Sequence, residues 1–93
     1  VSGAVTDNAA ASRFELAEDG AVAFAEYRVR DGHLVFTHTE VPDSLSGRGV
    51  GSRLAKGALG LARARGLPVV AECPFIAGYI RKHPEFQDLL AAS

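Results

Sequence analysis

The sequence predicts one small α/β domain, α+β in kind, with its elements in the order βββαβα. Three observations lead there. Apolar and polar residues alternate through stretches separated by Asp19-Gly20 and Asp31-Gly32, a glycine-rich turn over 46–52 opens an amphipathic helical stretch, and a short apolar run, 67–73, follows that helix.

Residues Val1 to Ser12 are small and polar without apolar periodicity, which predicts a flexible lead-in, dispensable for the fold. The domain itself is expected over 13–93. From Arg13, Phe14 and Leu16 alternate with Arg13 and Glu15, the pattern of a half-buried strand, and Asp19-Gly20 stops it. A second strand spans Ala21 to Arg30. Asp31-Gly32 is the pair favoured by a type I′ hairpin turn, because both central positions need positive φ, so the third strand, His33 to Val41, returns antiparallel.

Pro42 and Asp43 end that strand, and a loop leads into a helix from about Arg48 to Arg65. Val50, Leu54, Ala58 and Leu61 recur at helical spacing, with Arg53, Lys56 and Arg63 toward the other side and Gly66 as the C-cap. Gly57 and Gly60 each cost about 1 kcal/mol inside a helix, and close packing on a sheet is the expected reason for both. Leu67 to Cys73 then reads as a strand lying parallel to the third through a right-handed crossover. Pro74 opens a second helix, Phe75 to Lys82; His83-Pro84 interrupts it, and Glu85 to Leu90 form a last turn.

The chain of 93 residues has room for one core, and ten basic against eleven acidic residues leave a net charge of −1. No general field for nucleic acid or for an anionic membrane results, so neither is an expected partner. No apolar run approaches the roughly 20 residues of a membrane span, and the first residues lack the basic-then-apolar order of a signal peptide. A cytoplasmic monomer or homodimer without a metal is the expectation. The single cysteine, Cys73, has no intrachain disulfide partner.

The strongest local signal is Gly47-Arg48-Gly49-Val50-Gly51-Ser52, between a strand and a helix. Glycines let backbone approach an anion closely, and the first free N–H groups of a helix point at it with the positive end of the macrodipole. A pyrophosphate suits such a cradle. Arg48 can add a charged donor and Ser52 a hydroxyl. As a bland alternative, the glycines only make a tight strand-to-helix turn. The glycine spacing is not that of a dinucleotide-binding fingerprint, and the Lys-Ser/Thr pair of a P-loop is missing.

His38-Thr39-Glu40-Val41-Pro42, the glycine turn through Leu54, Cys73-Pro74-Phe75, and Tyr79-Ile80-Arg81-Lys82-His83-Pro84-Glu85-Phe86 together resemble the short GNAT-type N-acetyltransferase-like family. The resemblance runs from about Phe14 to Leu90. Gly49 and Gly51 match the two small positions of the general GNAT signature Gln/Arg-x-x-Gly-x-Gly/Ala, whereas Ser46 stands at its Gln/Arg position. What this implies is a reduced GNAT fold that binds acetyl-CoA at Arg48, Gly49, Val50, Gly51 and Ser52. The pantetheine arm would lie where the third strand splays from the last one, near Val41 and Pro42, with the Val41 N–H polarising the thioester carbonyl. The N-terminal helical pair that shapes the acceptor site of longer members has no counterpart in the sequence, so the acceptor amine, of a small molecule or a peptide, is the least transferable part.

Acetyl transfer needs a neutral amine, a donor to the oxyanion and a proton for the departing thiolate. Period-two alternation puts His38 and Glu40 on one strand face, where either can take a proton; Glu40 is the first choice, and a solvated pair at a strand end is the competing reading. Cys73 precedes Pro74 at a helix N-terminus, a position that favours a thiolate, and it resembles the cysteine with which this family can accept or assist the acyl group; a half-buried structural cysteine is the alternative. Packing is the expected work of Tyr79, and the proton source stays open. Two functions therefore compete, an N-acetyltransferase acting on an amine and a non-catalytic acyl-CoA-binding module, with a plain structural domain as a third.

Overall fold

A computed structural model describes residues 4–91. Five strands form one sheet in sequence order: β1 (Val5–Asn8), β2 (Arg13–Glu18), β3 (Ala21–Arg30), β4 (His33–Glu40) and β5 (Val69–Ala71). The first four are antiparallel neighbours, and β5 lies parallel to β4. The helices are α1 (Val50–Arg65) and α2 (Pro74–Lys82), with 3₁₀ turns at Ala9–Ala11, Asp43–Leu45 and Pro84–Leu89. No helix among the described residues is long and apolar enough to cross a membrane.

Both hairpin turns take the geometry that Asp-Gly favours: φ is 50° and 78° at Asp19 and Gly20, and 51° and 74° at Asp31 and Gly32. One face of the sheet, with Phe14, Leu16, Ala23, Ala25, Tyr27, Leu34 and Phe36, shares a single core with Leu54, Ala58 and Ala62 of α1 and Ile76 and Ile80 of α2. The sheet is thus covered on one side. The opposite face carries Arg13, Glu15, Val22, Phe24, Glu26, His38 and Glu40, partly or fully exposed, and stays open among the described residues.

The stretch 1–12, expected to be a flexible lead-in, instead supplies β1 and a 3₁₀ turn in its described part. Three contacts explain this. Val5 packs so tightly on α1 that a Cβ at Gly57 would lie 2.4 Å from its Cγ2. The Tyr27 hydroxyl donates to Asp7 Oδ1 at 2.6 Å, and Arg65 Nη1 donates to the Tyr27 hydroxyl at 3.0 Å and to Asp7 Oδ2 at 3.2 Å, tying β1 to β3 and to the end of α1. Burial, and next the Asp7 carboxylate, push the Tyr27 phenol above its ordinary value.

Gly57 therefore has the close-packing role expected of it. Gly60 does not: a Cβ there would meet nothing within 4 Å. The helix starts at Val50 rather than near Arg48, since Gly49 is its N-cap with φ 72°.

Candidate functional site

The end of the sheet where β4 finishes gathers the singled-out residues, and a β-bulge decides which way they face. His38 pairs with Glu26 but Phe36 with Tyr27, so Thr37 is an extra residue in β4. Strict alternation from Leu34 and Phe36 would aim His38 and Glu40 into the core. The bulge turns them to the open face instead, and sends Thr39 to the core side. His38 Nε2 lies 3.6 Å from Glu40 Oε1, with both side chains more than half exposed, so the two share a face as expected.

Past Phe36, β4 and β5 part. The ladder ends at Phe36↔Ala71, and the N–H groups of Glu72 and Cys73 both donate to the Phe36 carbonyl at 3.0 Å. That shared acceptor swings the chain away into α2 while β4 runs on to Glu40. The wedge between them matches the expected splay. Cys73 is the N-cap of α2 with Pro74 in its first turn; it is 4% exposed, and its Sγ lies 3.1 Å from Thr39 Oγ1. Cys73 is accordingly more deeply buried than a half-buried strand end. It also sits on the core side of β4, across the strand from His38 and Glu40, so the three candidate catalytic residues are not on one surface.

The turn that follows β4 is pinned by Leu45, which is 1% exposed, and by bonds from Leu45 N to Pro42 O and Ser46 N to Asp43 O, at 2.9 Å and 3.0 Å. Gly47 and Gly49 adopt φ of 79° and 72° with nothing within 4 Å of an added Cβ, so backbone conformation alone calls for glycine there. The first ladder bond of α1 is Arg53 N to Gly49 O at 3.1 Å. Helix geometry leaves the N–H groups of Val50, Gly51 and Ser52 without acceptors in the helix. Gly51 serves a different need from Gly49, because a Cβ there would lie 2.8 Å from Phe75 Cζ. Its smallness lets α2 approach.

Arg48, expected to be a phosphate donor, pairs with Asp19, and Arg53 pairs with Glu18 at 2.8 Å, so the end of β2 and the turn after it supply counter-ions to the glycine turn and to the start of α1. Beside Ser52 a cleft of about 310 Å³ runs between the helices, lined also by Pro74, Phe75, Gly78, Tyr79, Lys82 and His83. The Tyr79 and His83 rings stack with centroids 3.8 Å apart, and the His83 Nδ1 is 2.8 Å from the Tyr79 carbonyl. Burial, then the Glu85 charge, push the Tyr79 phenol up, so it keeps its proton at neutral pH. From the sequence alone Phe75 reads as core or as a contact to the coenzyme, Tyr79 as packing and His83 as a helix stop, and Lys82 only ends the helix. The four-residue spacing of Phe75, Tyr79 and His83, one per helical turn, was the available signal.

The comparisons with known proteins agree with this fold. The pattern of a family described as GCN5-related N-acetyl-transferase matches residues 13–89. Protein NATD1 of Xenopus tropicalis is 36% identical over 66 residues, which cover 71% of this chain and 60% of that protein. Protein NATD1 of Homo sapiens is 38% identical over 69 residues, covering 71% of this chain and 58% of the relative. The chain thus spans about three fifths of the length of these curated relatives. The NMR solution structure of a GCN5-like protein from Staphylococcus aureus superposes with a TM-score of 0.71 at 29% identity, over 96% of this chain and 88% of the other. With strand order, wedge and glycine turn all in place, the chain belongs to the GCN5-related N-acetyltransferase family.

Proposed function

We propose that the chain binds acetyl-CoA and transfers its acetyl group to an amine. The observation that carries this reading is the meeting, at one end of the sheet, of the unbonded N–H groups of Val50, Gly51 and Ser52 with the wedge between β4 and β5. The pyrophosphate fits the glycine turn, where Arg48 changes partner from Asp19 to phosphate. The adenosine 3′-phosphate end fits the cleft beside Ser52, with aromatic Phe75 and Tyr79 for the base and Lys82 for the phosphate. The pantetheine arm then reaches the wedge, beside Val41, Pro42 and Cys73.

Glu40, with His38 beside it, takes the proton of the attacking amine, and the Val41 N–H stabilises the oxyanion. Because Cys73 lies across β4 from Glu40, direct transfer to the amine is favoured over passage through the thiol. Calorimetric titration with acetyl-CoA, run beside intact-mass analysis of the protein after incubation, tests the reading. Binding without a mass increase is expected, and hydrolysis-corrected release of CoA on adding an amine separates an enzyme from a non-catalytic binding module. No heat at all would leave only a structural domain.

A further inference from the structure

On the open face, next to Glu40, a cleft of about 280 Å³ is lined by Val22, Phe24, Glu40, Val41, Pro42 and Asp43. Four of its six lining residues are apolar, and its only charged lining groups are carboxylates. Val22 is 40% exposed. The Phe24 ring is held by the Arg13 guanidinium, 4.5 Å from its centroid, and by the edge of the His38 ring at 6.4 Å. The guanidinium nearest the cleft is already neutralised, Arg13 by Glu15. Asp43 joins none of the ion pairs among the described residues.

We propose that this cleft takes a small primary amine carrying an apolar group, held as its ammonium beside Glu40 and Asp43 with the apolar part against Val22, Phe24 and Pro42. The inference rests on the acetyltransferase reading, and it narrows the acceptor to a chemical class. A carboxylate next to the amine, as in a free amino acid, would face Glu40 and Asp43, and a polyamine would leave the apolar wall uncovered. In transfer the ammonium gives one proton to Glu40. The nitrogen then bonds to the acetyl carbon of acetyl-CoA, the carbon–sulfur bond breaks, and the leaving thiolate takes the nitrogen's surplus proton, giving the amide and CoA thiol.

Four probes divide the recognition: 2-phenylethylamine has the ring and the charge, phenylalanine adds a carboxylate, 2-phenylethanol lacks the charge, and putrescine lacks the ring. Titrated into ¹⁵N-labelled protein with and without acetyl-CoA, 2-phenylethylamine is expected to shift the amides of Val22, Phe24, Glu40 and Val41. It should bind about tenfold or more tightly than each of the others. Val22→Lys, which puts a cation at an exposed position of the cleft, and Asp43→Asn should each weaken it, the latter by roughly threefold to fivefold. Equal affinity for phenylalanine, shifts clustered elsewhere, or indifference to both variants would overturn the proposal. Because the amine titration is run also without acetyl-CoA, binding here in a chain that ignores the coenzyme would sink the acetyltransferase reading while the cleft's preference stood.

Discussion

Thr39 Oγ1 meets Cys73 Sγ at 3.1 Å, across the point where β4 and β5 separate. The contact closes the core side of the wedge, and Cys73 is nearly inaccessible behind it. Alkylation of Cys73 by iodoacetamide should therefore be slow in the free protein and should accelerate in Thr39→Ala, which opens that side. Acetyl-CoA should slow labelling in both proteins. Rapid labelling of the wild-type chain, unaffected by the coenzyme, would place the thiol outside the site.

Glu40→Gln should lower the rate of acetyl transfer by about a hundredfold, within the range of a lost general base, while leaving coenzyme affinity unchanged. The reason is positional: Glu40 lies on the open face and is not among the residues proposed to hold the coenzyme. A variant that retains its rate and its pH profile would shift attention to His38→Gln.

Gly57 and Gly60 sit on the same helix and should respond in opposite directions to alanine. At Gly60 the new Cβ meets open space, so the substitution should stabilise by about 0.5–1 kcal/mol through helix propensity. At Gly57 it collides with Val5, and the propensity gain is outweighed by displacement of β1. Urea unfolding of the two variants reads the difference directly. Stabilisation by Gly57→Ala would deny β1 its close seat on α1.

Stability should also fall in alkali in a way traceable to the two tyrosines. Both phenols are raised by burial, so above pH about 10 the unfolded chain loses their protons before the folded chain does. The contribution is fully present below that value and declines as pH rises through the folded pKa. Tyr27→Phe should flatten the decline above about pH 10. It should also cost about 1 kcal/mol at neutral pH through the lost bonds to Asp7 and Arg65. An unchanged alkaline slope would contradict the buried role of this hydroxyl.

Long patterns and turn chemistry were legible in the sequence, whereas single-residue irregularities were not. Asp31-Gly32, the helix stripe of Val50, Leu54 and Ala58, and the crossover to Val69 appear in the structure much as their residues suggest. β1 escaped because Val5 is the only residue of Val5–Asn8 packed against the core, and the partners of Val5 (Gly57) and Asp7 (Tyr27 and Arg65) are distant in sequence. The bulge at Thr37 left no trace in composition, although it determines that Glu40 and Cys73 face opposite sides of β4. Gly51 looked like part of an anion cradle, yet its lack of a side chain answers to Phe75 on another helix.

The central claim is an anion site at the start of α1, and Ser52→Glu tests it most directly. Ser52 is exposed in the first turn of that helix, where a carboxylate favours the helix dipole, so the variant should fold with unchanged or slightly raised Tm. The same charge lies where the pyrophosphate is proposed to bind. Calorimetric titration of both proteins with acetyl-CoA should give saturable binding to the wild-type chain and at least about a tenfold loss in Ser52→Glu. Equal affinity in the two folded proteins, or no binding to either, would contradict it.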